Sequence, residues 1–331
     1  MNLTERFTLM IKLGKYLREN SEELKATKIA AFEKNKWFTV EFIDYALEKI
    51  CEQFLEPEKI KAWIEYYHLD DNVSPQKVGV VMAGNIPLVG FQDFLCIFIS
   101  GHHQIIKLSD KDDVLLKYLI GKMQQWNPEF ASVVLISPRL KECDAYVATG
   151  SNNSARYFQR YFGKYSSVIR SNKTSVAILT GNETHGDLTC LADDVYMYFG
   201  LGCRNVTKIY VPENYNFEML LGAFKKYNYF ADLTKYRNNY DYNLAIFIMN
   251  SQYYMTNESI LLSQNENPFS SVSVLNYSFY QNEKTVVEDL EKNESIQCIV
   301  GKNHIPFGKS QEPGLFDYAD GVDTMQFLLS L

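Results

Sequence analysis

From Lys77 onward, short β-branched runs alternate with helical segments, and this alternation restricts the fold more than any other feature of the chain. The runs KVGVVMA (77–83), QIIKL (104–108), SVVLI (132–136), AYVAT (145–149), VAIL (176–179) and KIYV (208–211) have the length and composition of buried strands. Between them, DDVLLKYLIGKMQQW (112–126) and SNNSARYFQRYFGKY (151–165) carry helical spacing. Strand–helix–strand repetition implies βαβ units and a mostly parallel sheet, with ligands beyond the carboxyl ends of the strands. The predicted class is therefore α/β. Residues 1–70 are predicted helical, with Thr39 as the N-cap of the run ending at Phe54. After about Pro212 the chain becomes Tyr- and Asn-rich and is predicted to form a second α/β unit. NKWF (35–38) and RNNYDYN (237–243) are predicted surface loops.

A length of 331 residues allows one large domain or two ordinary ones, and 46% hydrophobic residues supply a core without a metal or disulfide staple. Forty acids against 33 bases give a net charge of −7, which argues against nucleic acid as the main partner but not against a small anion in a local pocket. The cysteines stand at 51, 96, 143, 190, 203 and 298, with no CxxC pair and no cluster with histidine. Neither a zinc site nor a disulfide framework is expected. Glu5, Arg6, Lys12 and Lys15 break the apolar run of the N-terminus, which predicts an amphipathic helix rather than an export signal, and so a cytoplasmic protein. Residues 78–101 are long enough to span a bilayer, but Asn85, Pro87, Gln92 and Asp93 interrupt them. A strand, a turn and an apolar helix are expected there instead, and no transmembrane segment.

Four places carry residues that suit chemistry, each with a blander alternative. Cys203, in YFGLGCRNVTKIYVP, follows a turn bracketed by Gly200 and Gly202 and is flanked by Arg204, which suits a reactive thiolate. A lone cysteine is more often a buried structural thiol. Cys51, Cys96, Cys190 and Cys298 lie in apolar settings and keep that reading, while Cys143 is predicted at the surface. Asn85 follows a buried strand in AGNIPL and can aim an amide at an oxyanion, or merely shape the turn before Pro87. Lys107 closes a strand in IIKLSD, where it can meet a ribose or phosphate or simply be solvated. Thr149-Gly150-Ser151 joins a strand to a helix, a junction that offers N–H groups to an anion, although many such turns bind nothing. No dinucleotide GxGxxG, P-loop or GxSxG elbow is present.

Taken in order, VVMAGNIPL, IIKLSD, VATGSNNSARYF and FGLGCRN resemble the aldehyde dehydrogenase superfamily. FGLGCRNVTKIYVP, IRSNKTSVAILTG and the terminal FGKSQEPGLFDYADGVDTMQFL resemble more narrowly its acyl-CoA reductase (LuxC-type) branch. The resemblance runs from about Lys77 to the C-terminus. It implies two Rossmann-like three-layer α/β/α domains: residues 1–182 for the cofactor, with the N-terminal helices; 183–305 carrying the nucleophile; and 306–331 packing back on the first. It implies Cys203 as nucleophile and Asn85 as oxyanion-hole asparagine, paired with the Cys203 N–H. Lys107 and Ser109 would lie on the adenosine side of the cofactor and Gly150 and Ser151 near its pyrophosphate. Glu266, in ENPFSSV, is the candidate for holding the nicotinamide ribose, although its spacing to Phe269 is off by one and the family's Gly-Pro is lost.

The activity implied is NADPH-dependent reduction of a fatty acyl-CoA or acyl-protein thioester to an aldehyde, with NADH as the other cofactor option. An acyl-protein synthetase is an implied partner, and homo-oligomerisation is left open. The water-activating glutamate of hydrolytic family members is missing, since no acid stands between Asp144 and Glu183. A reductase has to protect its thioester from water, so that loss favours reduction. The alternatives are a small aldehyde dehydrogenase running oxidatively and a non-catalytic subunit of a fatty-acid reductase complex. Phe217, Phe224, Tyr227 and Phe230 are either core aromatics or the lining of an acyl channel.

Overall fold

The computed structural model describes all 331 residues, which divide into two compact units: Met1–Asn172 with Pro313–Leu331, and Lys173–Glu312. The first unit opens with four helices, α1 (Leu3–Glu19), α2 (Glu22–Lys34), α3 (Val40–Phe54) and α4 (Pro57–Tyr66). Thr39 caps α3 as predicted, its side chain accepting from the Phe42 N–H. NKWF does not form a surface loop throughout: Phe38 is buried in the core, anchoring the turn before α3.

A five-stranded, wholly parallel sheet follows, built from β1 (Lys77–Val81), β2 (His103–Lys107), β3 (Val134–Ile136), β4 (Ala145–Thr149) and β5 (Ser166–Arg170) in the order β3-β2-β1-β4-β5. Its connections are α5 (Phe91–Ser100), α6 (Val114–Trp126), the single turn α7 (Phe130–Val133) and α8 (Asn152–Phe162). The stretch 78–101 thus forms a strand, a loop and a buried helix, and no helix of the protein is long and apolar enough to cross a membrane. Order reverses between β1 and β4, the switch point at which such sheets open a crevice at their carboxyl ends.

The second unit has six strands: β6 (Thr174–Ile178), β7 (Val206–Pro212), β8 (Met255–Thr256), β9 (Leu261–Gln264), β10 (Val274–Tyr280) and β11 (Ile296–Val300), ordered β11-β6-β7-β10-β9-β8. All neighbours are parallel except the short edge strand β8. Its helices are α9 (His185–Tyr196), α10 (Phe217–Ala223), α11 (Thr234–Met249) and α12 (Glu283–Glu291). The predicted loop RNNYDYN lies inside α11, because Tyr236, Tyr240 and Asn243 are buried along one side of it and packing outweighs the weak helix propensity of asparagine.

The boundary between the units falls ten residues before the expected 182, because β6 pairs with β7 and β11 and so belongs to the second sheet. The terminal segment, expected from 306, joins the first unit from Pro313. It ends in α13 (Thr324–Leu329), which buries Met325 and Leu328. Arg170, at the end of β5, holds it there through Thr324 Oγ1 at 2.6 Å and also pairs with Asp93 at 2.5 Å.

Candidate active site

In the first unit, Asn85, Lys107, Ser109, Gly150 and Ser151 gather at the carboxyl ends of three adjacent strands, β1, β2 and β4. Asn85 is exposed in the loop after β1. Gly84 before it lies so close to Ser109 that a Cβ would sit 2.6 Å from the Ser109 hydroxyl, so the loop needs glycine here. Farther along, Leu88 takes a left-handed φ of 54°. Its N–H donates to Asp112 Oδ2 at 2.7 Å. Burial pushes the Asp112 carboxyl up to about 7, against the opposing effect of that hydrogen bond. Asp112 was not legible as a site residue, because only the fold brings it under the Asn85 loop.

Lys107 is exposed at the end of β2. Ser109 is half-buried and accepts from the Lys111 N–H at 3.3 Å. Ser151 is the N-cap of α8 and accepts from the Ser154 N–H. The first turns of α8 press against Gly150, where a Cβ would lie 2.8 Å from both Ser154 and Phe158. An exposed ammonium, hydroxyls and a helix N-terminus at a switch point are the donors that a dinucleotide's hydroxyls and phosphates need, so these residues fit such a cofactor.

In the second unit, Cys203 is half-buried on the loop between α9 and β7. Tyr198, Phe199 and Gly200 are all left-handed, with φ of 53°, 57° and 74°. Left-handed backbone costs an L-residue roughly 1–2 kcal/mol, and Asn205 holds this turn in place. Fully buried, Asn205 donates to Met197 O at 2.7 Å and Asp194 O at 3.0 Å, and accepts from the Gly202 N–H at 2.8 Å. The Asp194 carboxylate accepts from the N–H groups of Gly308 and Ser310 at 2.6 and 2.9 Å, and burial raises its pKa to about 6.

The Ser175 hydroxyl donates to Cys203 O at 3.0 Å. Its oxygen also lies within hydrogen-bond distance of Cys298 Sγ, at 3.0 Å. Burial moves the Cys298 pKa upward as well, with Arg204 opposing. Cys298 is thus a half-buried neighbour of the site rather than a remote core thiol. Two other expectations are corrected: Cys143 is buried, packed against Gly79 and Tyr146, and Cys190 is exposed on α9. Phe224, Tyr227 and Phe230 pack with Tyr196 in the core, with ring centroids 4.8–5.8 Å from Tyr196. Phe217 stacks instead near Tyr277.

Glu266 stands just beyond β9 with its side chain 85% exposed. Its carboxylate accepts from Ser278 Oγ at 3.0 Å and lies 3.4 Å from Lys208 Nζ. Lys208 is fully buried in β7 and also donates to Glu266 O at 2.9 Å. Neither Lys208 nor Ser278 carries a sequence signal, since nothing in the mixed polar and apolar runs VTKIYVP and VLNYSFY marks which polar residue meets Glu266.

Sequence comparison finds no matching family model and no matching curated protein. Solved structures do match. HpcC of Thermus thermophilus aligns with a TM-score of 0.67 at 10% identity, covering 91% of this chain and 70% of that one. Aldehyde dehydrogenase 21 of Physcomitrella patens, in complex with the reaction product succinate, gives 0.66 at 12%, covering 91% and 73%. The glyceraldehyde-3-phosphate dehydrogenase GapN of Methanocaldococcus jannaschii, complexed with NADP, gives 0.63 at 14%, covering 92% and 77%. At these identities the likeness carries architecture, and this chain has an aldehyde dehydrogenase-like fold.

Proposed function

We propose that the protein reduces a fatty acyl-CoA or acyl-protein thioester to the aldehyde, with NADPH, or NADH, as reductant. Cys203 is the nucleophile: its thiolate adds to the thioester carbonyl and expels CoA, leaving a thioacyl enzyme. The Asn85 amide and the Cys203 N–H stabilise the oxyanion. Lys107, Ser109, Gly150 and Ser151 bind the adenosine and pyrophosphate parts of the dinucleotide, and Glu266 accepts from its nicotinamide ribose. A bound reduced nicotinamide dinucleotide would supply the hydride. Collapse of the resulting thiohemiacetal on Cys203 releases the aldehyde.

The observation that carries this reading is the engagement of Glu183, the first acid after β6. Glu183 accepts from the Thr180 N–H and hydroxyl at 2.6 and 2.8 Å, and from the Gly181 N–H at 3.0 Å. A carboxylate tied into its own turn is a poor base for water, and a thioacyl enzyme without such a base survives until it is reduced. The oxidative reading is favoured by the solved relatives, which are named aldehyde dehydrogenases. Intact-mass measurement after incubation with a fatty acyl-CoA and no cofactor tests the proposal. A stable adduct of the acyl mass on Cys203 is expected, and its absence together with NAD⁺-dependent aldehyde oxidation would overturn it. An acyl-protein synthetase as donor partner is part of the same proposal.

A further inference from the structure

The Asn265–Phe269 loop is fastened to the second sheet by four buried polar side chains. Thr207 donates to Pro268 O at 2.6 Å, Lys208 to Glu266 O at 2.9 Å, Asn276 to Asn267 O at 2.9 Å and Ser278 to Glu266 Oε1 at 3.0 Å. The ion pair within this set is lopsided. The Lys208 side chain has no exposure, while that of Glu266 is 85% exposed. Burying an ammonium is expensive, and a pair serving packing alone is replaceable by apolar residues of similar volume. Here the buried partner instead holds an exposed carboxylate in one orientation. An ionised carboxylate has about four acceptor positions, and Lys208 and Ser278 reach it from within the protein. Acceptor capacity therefore remains toward solvent, on a carboxylate contacted from within by Lys208 and Ser278.

We infer that Lys208 and Ser278 are positioning residues that preorganise the Glu266 carboxylate as an acceptor for a ribose-type diol. This rests on the ribose role proposed for Glu266 and adds the residues that make it effective. Lys208 touches no cofactor in this account and acts through the carboxylate alone. Burial lowers the Lys208 pKa, and the Glu266 carboxylate opposes that shift. The ammonium also lies 4.7 Å from the Tyr210 ring centroid, a second favourable contact.

The test is NADPH and NADH binding by nucleotide fluorescence, with Cys203 acylation by a fatty acyl-CoA followed separately, since acylation needs no dinucleotide. E266Q and K208M are each expected to weaken dinucleotide binding about tenfold or more, well beyond any change in acylation rate. K208R should recover part of the loss, and S278A should weaken binding about threefold. The K208M/E266Q double variant should bind no worse than E266Q, because both act on one carboxylate. Wild-type binding by K208M, additive losses in the double variant, or equal falls in binding and acylation would each overturn the Lys208 assignment. If K208M does not fold, S278A decides: unchanged binding there overturns the cradle. Wild-type binding by E266Q would overturn the ribose role itself, and a wild-type protein that binds neither nucleotide would overturn the proposed function.

Discussion

Asp112 shows how one buried side chain ties local strain to pH. Its carboxylate, 8% exposed, accepts the N–H of left-handed Leu88 through one oxygen, while the other has no partner. The unfolded carboxyl ionises near 3.8 and the folded one near 7. Between those values the folded chain keeps a proton that the unfolded chain has lost, so stability falls as pH rises through this window and levels off above it. Urea unfolding at pH 5 and pH 8 should show Asp112→Asn gaining on the wild type by on the order of 3 kcal/mol over that range. Parallel behaviour of the two would show that Asp112 does not titrate there. If Cys203 is the nucleophile proposed above, Cys203→Ala should abolish acyl-enzyme formation. Asn85→Ala should lower turnover roughly 10²–10³-fold, the usual effect of losing one oxyanion donor. Steady-state rates with a fatty acyl-CoA check both.

Among the elements, the turn before β7 depends on Asn205 most. Asn205→Ala removes the bonds donated to Asp194 O, Val195 O and Met197 O and the one accepted from the Gly202 N–H in a buried site, and should destabilise by about 2–4 kcal/mol. Denaturant unfolding reads that loss, and acylation of Cys203 should slow with it. Thr39→Ala removes the cap of α3 and should cost about 1 kcal/mol. These two sites differ in what the sequence reveals. Thr39 is legible because capping is local: a hydroxyl three residues before its N–H partner. Asn205 is not legible in that way, because its clamp joins atoms up to eleven residues apart through a backbone shape no propensity encodes. Strands β1, β2, β4, β6 and β7 were legible as β-branched runs between helical spacings. β5, with two serines in SSVIR, and the second-unit strands β8 to β11 lack that contrast. The residues at the carboxyl ends of β1, β2 and β4 follow from strand order. The Lys208–Ser278–Glu266 set does not, because it depends on which strands become neighbours in the second sheet.

On the scale of the whole molecule, the first unit is discontinuous in sequence and the second is inserted within it. Leu315, Tyr318, Met325 and Leu328 of the last segment are buried in the first core, each contributing about 1.5–3 kcal/mol when fully buried. Trp63 donates to the Tyr318 hydroxyl at 3.0 Å. All three tryptophans, Trp37, Trp63 and Trp126, lie in the first unit, so tryptophan emission reports on that unit. A chain ending at Glu312 should show red-shifted emission and a lower unfolding midpoint by that probe; wild-type emission would mean that the segment adds no packing. The same connectivity sets an order of events during synthesis. Pro313–Leu331 leave the ribosome only after the entire inserted unit has done so. Until then the surface that receives α13 stays uncovered on a nascent chain, so this is the face where a chaperone has something to shield and an unassisted chain is most exposed to aggregation.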